Sequence, residues 1–360
     1  LTPCSYLLLE APPQRMEQSR DELREEHIAM TVNTRADATA DRTERSIWAE
    51  PYSLRVPQPA ERPRLEAIWA ASQDADDPAF RPHDGWWSLA EWAAMCRLLV
   101  HGAEPIGVVA LNVVADGDAS EVRLALLPAY RSSAAGERLL QAARVLTQTT
   151  GLHTLRLYLP AAATWATRPA AAHGFHPIRA FHAMLRPAGA EAPSVPEIAG
   201  IRIRPIRPGE EARVLAAINQ AWQGTYNFHP ISRERFLLEL HNQRDGFLVA
   251  VDATDETRIA GTVHARFDPG AYNPDGPPYA WIANLTTGLD WRGRGLGRAL
   301  LLRGLEYLRR RGARSIALGV DGGNPVPVRL YHATGFRTIS SLEVWEGQAD
   351  GTSVAHPAAR

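Results

Sequence analysis

Lysine is missing altogether: the 39 basic residues of this 360-residue chain are all arginine. A GC-rich coding bias accounts for that, and no chemistry follows from it. Against 40 acidic residues the formal net charge is −1, so the chain lacks the basic field that supplies most non-specific affinity for nucleic acid. No nucleic-acid partner is expected. Only two cysteines occur, Cys4 and Cys96, too few for a disulfide framework or a four-ligand zinc site. No metal is expected, and a reducing cytoplasm fits. Long apolar runs are also missing. Tyr6 to Leu9 is short, has no basic region before it, and nothing later approaches the ~18 residues of a membrane span. A soluble, cytoplasmic protein with no membrane partner is expected.

The chain is long enough for two domains of ordinary size, at roughly 100–200 residues each. Residues 1–45 are polar and charged and are expected to form a disordered extension, with at most a short helix around Met16 to Ile28. Met16 and Met30 follow Leu1, so part of this stretch reads as an over-extended start.

An internal repeat organises the rest. At a spacing of 161 residues, Arg131 answers Arg292, Gly136 answers Gly297, and Leu139-Leu140 answer Leu300-Leu301. Gly151 answers Gly312, and Gly174-Phe175 answer Gly335-Phe336. Upstream the spacing falls to 154 and then 149, so the second copy carries two insertions. The later one falls in the loop-forming stretch Asp268 to Pro278. Between the copies lies PAGAEAPSVPEIAG, which has linker composition. The expected organisation is a first domain over 46–187, a linker over 188–200, a second domain over 201–347 and a tail over 348–360.

Both copies show one order of elements. An extended start and helical stretches lead to a hairpin, a strand, a helix, a strand, a second helix and a final strand after Gly-Phe. The fold class is α/β with a mixed α+β sheet, present as two tandem copies.

In the second copy the strand YAWIANLTT runs into LDWRGRGLG and then a helix whose Leu296, Leu300, Leu301, Leu305 and Leu308 recur at helical spacing. A glycine-rich segment between strand end and helix start offers main-chain NH groups and a helix dipole to a pyrophosphate. Arg292, Arg294 and Arg298 add charge. The spacing is GxGxG, without the lysine of a nucleotide triphosphate loop or the ribose-binding acid of a dinucleotide fold. Taken alone, the loop also reads as a turn of structural use only.

RGRGLG resembles the RxxGxG/A signature of the GNAT superfamily of acetyltransferases, and Asn324, Leu330, Tyr331 and Gly335-Phe336 reproduce its NxxxxxLYxxxGF pattern in order and distance. The tandem layout is similar to that of mycothiol synthases. The resemblance implies acetyl-CoA as co-substrate, its pyrophosphate held by Arg292, Gly293, Arg294, Gly295, Leu296, Gly297 and Arg298. Leu285, Thr286 and Thr287 would pair with the pantetheine arm and offer an NH to the oxyanion. Tyr331 matches the tyrosine that protonates the departing thiolate. Asn324 matches an asparagine near the CoA arm, and a helix N-cap explains it equally well.

No motif fixes the base: Asn284 is placed to hold a relaying water, and Asp321, His264 and Glu343 are further candidates. Trp222, Tyr226, Phe228 and Tyr279 are candidates for an aromatic substrate wall, with Asp268 or Asp275 to attract an ammonium group. They read equally as core aromatics and solvated acids. Where mycothiol synthases carry an acidic HPEQG-like stretch, this chain reads TYNFHP. Acetyl transfer to a small-molecule primary amine is therefore expected, by direct attack in a ternary complex, since no cysteine lies in the second copy. A cysteinyl-glucosaminyl-inositol acceptor and a non-catalytic acyl-CoA sensor are the alternatives. In the first copy Gly295, Asn324 and Tyr331 are replaced by Ala134, Ala163 and Ala170, so catalysis is expected only in the second. Nothing in the sequence specifies an oligomeric state.

Overall fold

The computed structural model describes residues 52–77, 92–113, 118–190, 194–226, 228–241, 243–267 and 280–350. The N-terminal extension, Cys4, the insertion with Asp268, Asp275 and Tyr279, and residues 351–360 of the tail lie outside the described residues.

The first repeat comprises β1 (Tyr52–Arg55), α1 (Arg62–Asp76), β2 (Cys96–His101), β3 (Glu104–Val113), β4 (Ala119–Leu126), α2 (Ser133–Gln148), β5 (Thr154–Pro160), α3 (Thr164–Ala172) and β6 (His176–Arg186). The second comprises β7 (Ile201–Pro205), α4 (Glu211–Trp222), α5 (Arg233–Leu240), β8 (Phe247–Asp252), β9 (Ile259–Phe267), β10 (Ala280–Thr287), α6 (Leu296–Arg310), β11 (Ile316–Asp321), α7 (Pro325–Ala333) and β12 (Arg337–Gln348). The mixed α/β organisation is as expected.

The chain divides into two compact units, and their limits differ from the repeat limits. Among the described residues, one holds those from Tyr52 to Ala180 together with those from Leu342 to Asp350; the other holds Phe181–Ser341. In the first, β1 to β5 stand in order, β4 and β5 parallel. The sheet continues with the end of β12, whose Leu342 to Gln348 pair antiparallel with Pro160 to Thr154. In the second, the sheet runs β7-β8-β9-β10-β11, and Phe181 to Arg186 of β6 pair antiparallel with Asp321 to Ile316. Each unit thus closes its sheet with the final strand of the other repeat, whereas the sequence reading kept each final strand in its own copy. The expected tail also starts later. Gln348 still belongs to β12, and Ala349 is buried with its NH on the His153 carbonyl at 2.8 Å.

Both units bury apolar side chains on two faces of the sheet. In the unit of Phe181–Ser341, one face packs on α6, whose Leu296, Leu300, Leu301, Leu305 and Leu308 are all buried, each contributing about 1.5–3 kcal/mol. The other face takes Val214 and Ile218 of α4 and Phe236 and Leu240 of α5 against Phe247, Val249 and Val251. Val195 and Ile198 of the inter-repeat segment lie against the α6 core. Among the described residues no helix is long and apolar enough to cross a membrane.

Candidate active site

β10 is irregular on both edges, and the candidate site begins there. Against β9 it is in register from Ala280↔Phe267 to Ala283↔His264, then slips and resumes at Thr286↔Thr262. Asn284 lies in the slip with φ 47°, a left-handed value that other non-glycine residues avoid among the described residues. Asparagine tolerates that region better than most side chains, and the extra residue bends the strand. On the opposite edge the parallel ladder with β11 ends at Ile282↔Leu318, while β10 runs on to Thr287. The two strands part at their carboxyl ends, and residues 283–287 border the gap.

Thr262 Oγ1 donates to the Asn284 carbonyl at 2.8 Å and lies 2.8 Å from Thr286 Oγ1, which locks the bulge. Asn284 Nδ2 donates to Glu239 Oε2 at 3.1 Å, and Arg235 Nε donates to Glu239 Oε1 at 3.1 Å. The Glu239 side chain is only 8% exposed. Sequence reasoning missed this carboxylate, because one acid among RERFLLEL looks like part of a solvated helix face.

The glycine-rich loop follows at once. Gly293 and Gly295 have φ of 76° and 79°, a region open to glycine and strained for residues with a β-carbon. Gly295 is the N-cap of α6, and no side chain caps that helix among the described residues, so its first-turn NH groups remain available to an anion. A β-carbon on Gly297 would lie 3.4 Å from Thr287 Oγ1 and 3.9 Å from Leu330 Cδ2. The strand end, the helix start and α7 therefore converge there. Arg292 and Arg294 are exposed, Arg298 is half-buried, and Leu285 and Leu296 pack into the core below. Arg292 reaches the carbonyls of Thr287 and Ala221 at 3.4 Å each, and the Arg294 guanidinium lies over Trp291. A cradle of uncapped NH groups and arginines beside an open strand edge fits a pyrophosphate carrying an extended arm.

Tyr331 follows Leu330 on α7, is 7% exposed, and sets its ring edge-on to Phe336 at 5.9 Å. Asn324 is the N-cap of α7, its Oδ1 accepting from Val326 N at 3.4 Å, which gives it a structural duty.

The other base candidates separate. Asp321 accepts the Gly323 NH at 2.9 Å within a turn. His264 is fully buried, with no hydrogen bond to either ring nitrogen among the described residues. Burial first, then the Arg266 charge, push its pKa down to about 3. Glu343 lies beyond Ser341, outside the unit that holds Tyr331, and accepts the Trp345 indole NH at 2.9 Å. The exchange of final strands displaces it.

Of the aromatic candidates, Trp222 ends α4 and packs on the α4–α5 core, Tyr226 lies tilted against Phe181 with ring centroids 6.2 Å apart, and Phe228 is half-buried. A cavity of about 140 Å³ lies between α4 and the ends of β9 and β10. Ala217, Ala221, Gly261, Thr286 and Gly288 line it.

The first repeat shows the same places filled. β3 and β4 pair from Gly107↔Leu126 to Val113↔Ser120 without a slip, and the β4–β5 ladder extends to Arg123↔Tyr158. Ser132, at the position of Gly293, caps α2 by accepting Ala135 N at 3.3 Å. The Leu126 NH, at the position of Thr287, donates to Ser72 Oγ at 3.1 Å. Arg131, at the position of Arg292, is paired with Asp76, which also accepts the Trp165 indole NH. Gly136 serves helix packing: a β-carbon there would sit 2.1 Å from the Trp165 carbonyl oxygen.

The sequence profile described as the acetyltransferase (GNAT) family matches residues 61–175 and again 213–336. A mycothiol acetyltransferase of Thermobispora bispora is 34% identical over 66% of this chain and 79% of its own length. One of Acidothermus cellulolyticus is 30% identical over 85% of this chain and 97% of its own. A GCN5-related N-acetyltransferase from Sphaerobacter thermophilus shares the fold with a TM-score of 0.65 at 24% identity, over 84% of this chain and 96% of that one. With the family matched once in each repeat, the chain belongs to the GNAT acetyltransferases and carries that fold twice.

Proposed function

We propose that this acetyltransferase moves an acetyl group from acetyl-CoA to the primary amine of a small molecule, and that it does so in the second repeat alone. The observation that carries this reading is the parting of β10 and β11 directly above an uncapped, glycine-started helix. The first repeat has a longer ladder and a capped helix at the same place.

Acetyl-CoA supplies the acetyl thioester. Arg292 to Arg298 hold its pyrophosphate through loop and first-turn NH groups, and the edge of Leu285–Thr287 holds the pantetheine arm and presents an NH to the carbonyl oxygen. The amine attacks directly, without an acyl-enzyme. Tyr331 gives its hydroxyl proton to the leaving thiolate sulfur. Asn324 serves as the cap of α7.

The name of the relatives makes a mycothiol-type acceptor, the cysteinyl-glucosaminyl-inositol, the first specific amine to offer. The segment 221–230, with its TYNFHP, favours a broader class of small amines. Tyr331→Phe tests the chemistry: kcat is expected to fall roughly 10- to 10,000-fold with the acetyl-CoA Kd unchanged. An unchanged kcat removes Tyr331 from the role.

A further inference from the structure

The Glu239 carboxylate, in the unit of Phe181–Ser341, occupies a place where the packing calls for an apolar side chain. α5 directs Phe236 and Leu240, both buried, into the core. Glu239 is on the same side of the helix, 8% exposed, where an apolar side chain would continue that packing. Burying a carboxylate costs several kcal/mol unless its partners compensate. Among the described residues those partners are one Arg235 Nε and one neutral amide from Asn284, one on each oxygen. An ionised carboxylate offers about four acceptor positions, so capacity for a further cation remains.

The location is more telling than the burial. Asn284 sits inside the β10 bulge in a left-handed conformation, and the Thr262 hydroxyl fixes its carbonyl. That conformation brings the Asn284 amide to Glu239. Leu285, the next residue, begins the edge assigned above to the thioester, and consecutive Cα atoms are about 3.8 Å apart. The carboxylate is thus hydrogen-bonded to the residue that precedes that edge, on the α4–α5 side of the sheet.

We propose that Glu239 is the acceptor-amine group of the site: it binds the incoming primary ammonium and takes its proton, with Asn284 positioning it. This rests on the acetyl-transfer reading. One proton passes from the ammonium nitrogen to a Glu239 oxygen. The freed nitrogen lone pair forms the C–N bond to the thioester carbonyl carbon. As the carbonyl reforms, the C–S bond breaks and the thiolate sulfur takes the Tyr331 hydroxyl proton. The second nitrogen proton, lost as the amide forms, restores the tyrosine, and Glu239 releases its proton to solvent. Acceptors are then amines that are protonated in solution.

The test uses the full chain, Glu239→Gln, and two probe amines at neutral pH with acetyl-CoA: methylamine, which is protonated, and methoxyamine, which is already neutral. The substituted side chain keeps an oxygen for the Asn284 amide, and the melting temperature and the acetyl-CoA Kd report separately on folding and cofactor binding. The expected result is a loss of kcat for methylamine of roughly 100- to 10,000-fold, a loss under about 10-fold for methoxyamine, and an unchanged acetyl-CoA Kd. Equal losses for both amines, or none for methylamine, would overturn the assignment while leaving the acetyl-transfer reading intact. If the wild-type chain binds acetyl-CoA yet acetylates neither probe nor the cysteinyl-glucosaminyl-inositol, both readings fall.

Discussion

Arg131 Nη2 lies 2.9 Å from Asp76 Oδ2, and the Asp76 side chain is only 4% exposed. One repeat later Arg292 has no such acid among the described residues and reaches main-chain carbonyls from an exposed loop. The same arginine is an internal strut in one copy and an available charge in the other.

Removing the strut is costly and opens nothing. Asp76→Ala leaves the Arg131 guanidinium and the Trp165 indole NH without their shared acceptor, and is expected to destabilise the protein by about 3 kcal/mol. Urea unfolding measures this. Acetyl-CoA stoichiometry stays unchanged, because Ser132 still caps α2 and the β4–β5 ladder still closes the slot.

Gly295 tests the cradle. Its φ is 79°, and an added β-carbon would meet only Ile198 Cδ1 at 3.7 Å, so Gly295→Ala is strained by backbone conformation and not by crowding. That strain is about 1–2 kcal/mol. Turning the first-turn NH groups away from the anion is expected to weaken acetyl-CoA about tenfold or more. Titration of the variant at fixed salt measures it, and unchanged affinity would mean that the loop holds no phosphate.

His264 gives stability a pH dependence of known sign. Its folded pKa is about 3, below the 6.5 of the unfolded chain. Below pH ~6.5 the unfolded chain takes up a proton that the folded chain refuses, so stability falls by up to ~1.4 kcal/mol per pH unit. At higher pH the contribution is flat. Unfolding free energies at pH 7 and 5.5 for wild type and His264→Leu should show a steeper acid loss in wild type. Parallel losses would mean that the imidazole accepts a proton in place.

The parts legible in the sequence were those with local cause. The α6 leucines recur at helical spacing, and the GxGxG run falls between a strand and a helix, so the repeat, the mixed sheet and the place of the loop could be read from residues alone. What escaped depends on pairing across distance. β6 and β12 each follow Gly-Phe in the same context, and nothing local states whether β5 or β11 receives them. The bulge at Asn284 has no marker beyond a residue that tolerates positive φ. Glu239 became visible only once α5 was laid against that bulge. Asn324, by contrast, could be read as a cap from Asn-Pro alone and is one.

The central claim is one acetyl-CoA site per chain, in the second repeat, and calorimetric titration of the full protein with acetyl-CoA tests it most directly. A stoichiometry of one, kept in Asp76→Ala and weakened in Gly295→Ala, is the predicted result. Two sites would show that the first repeat binds despite its closed ladder and capped helix, and no binding by folded protein would show that the glycine loop is structural.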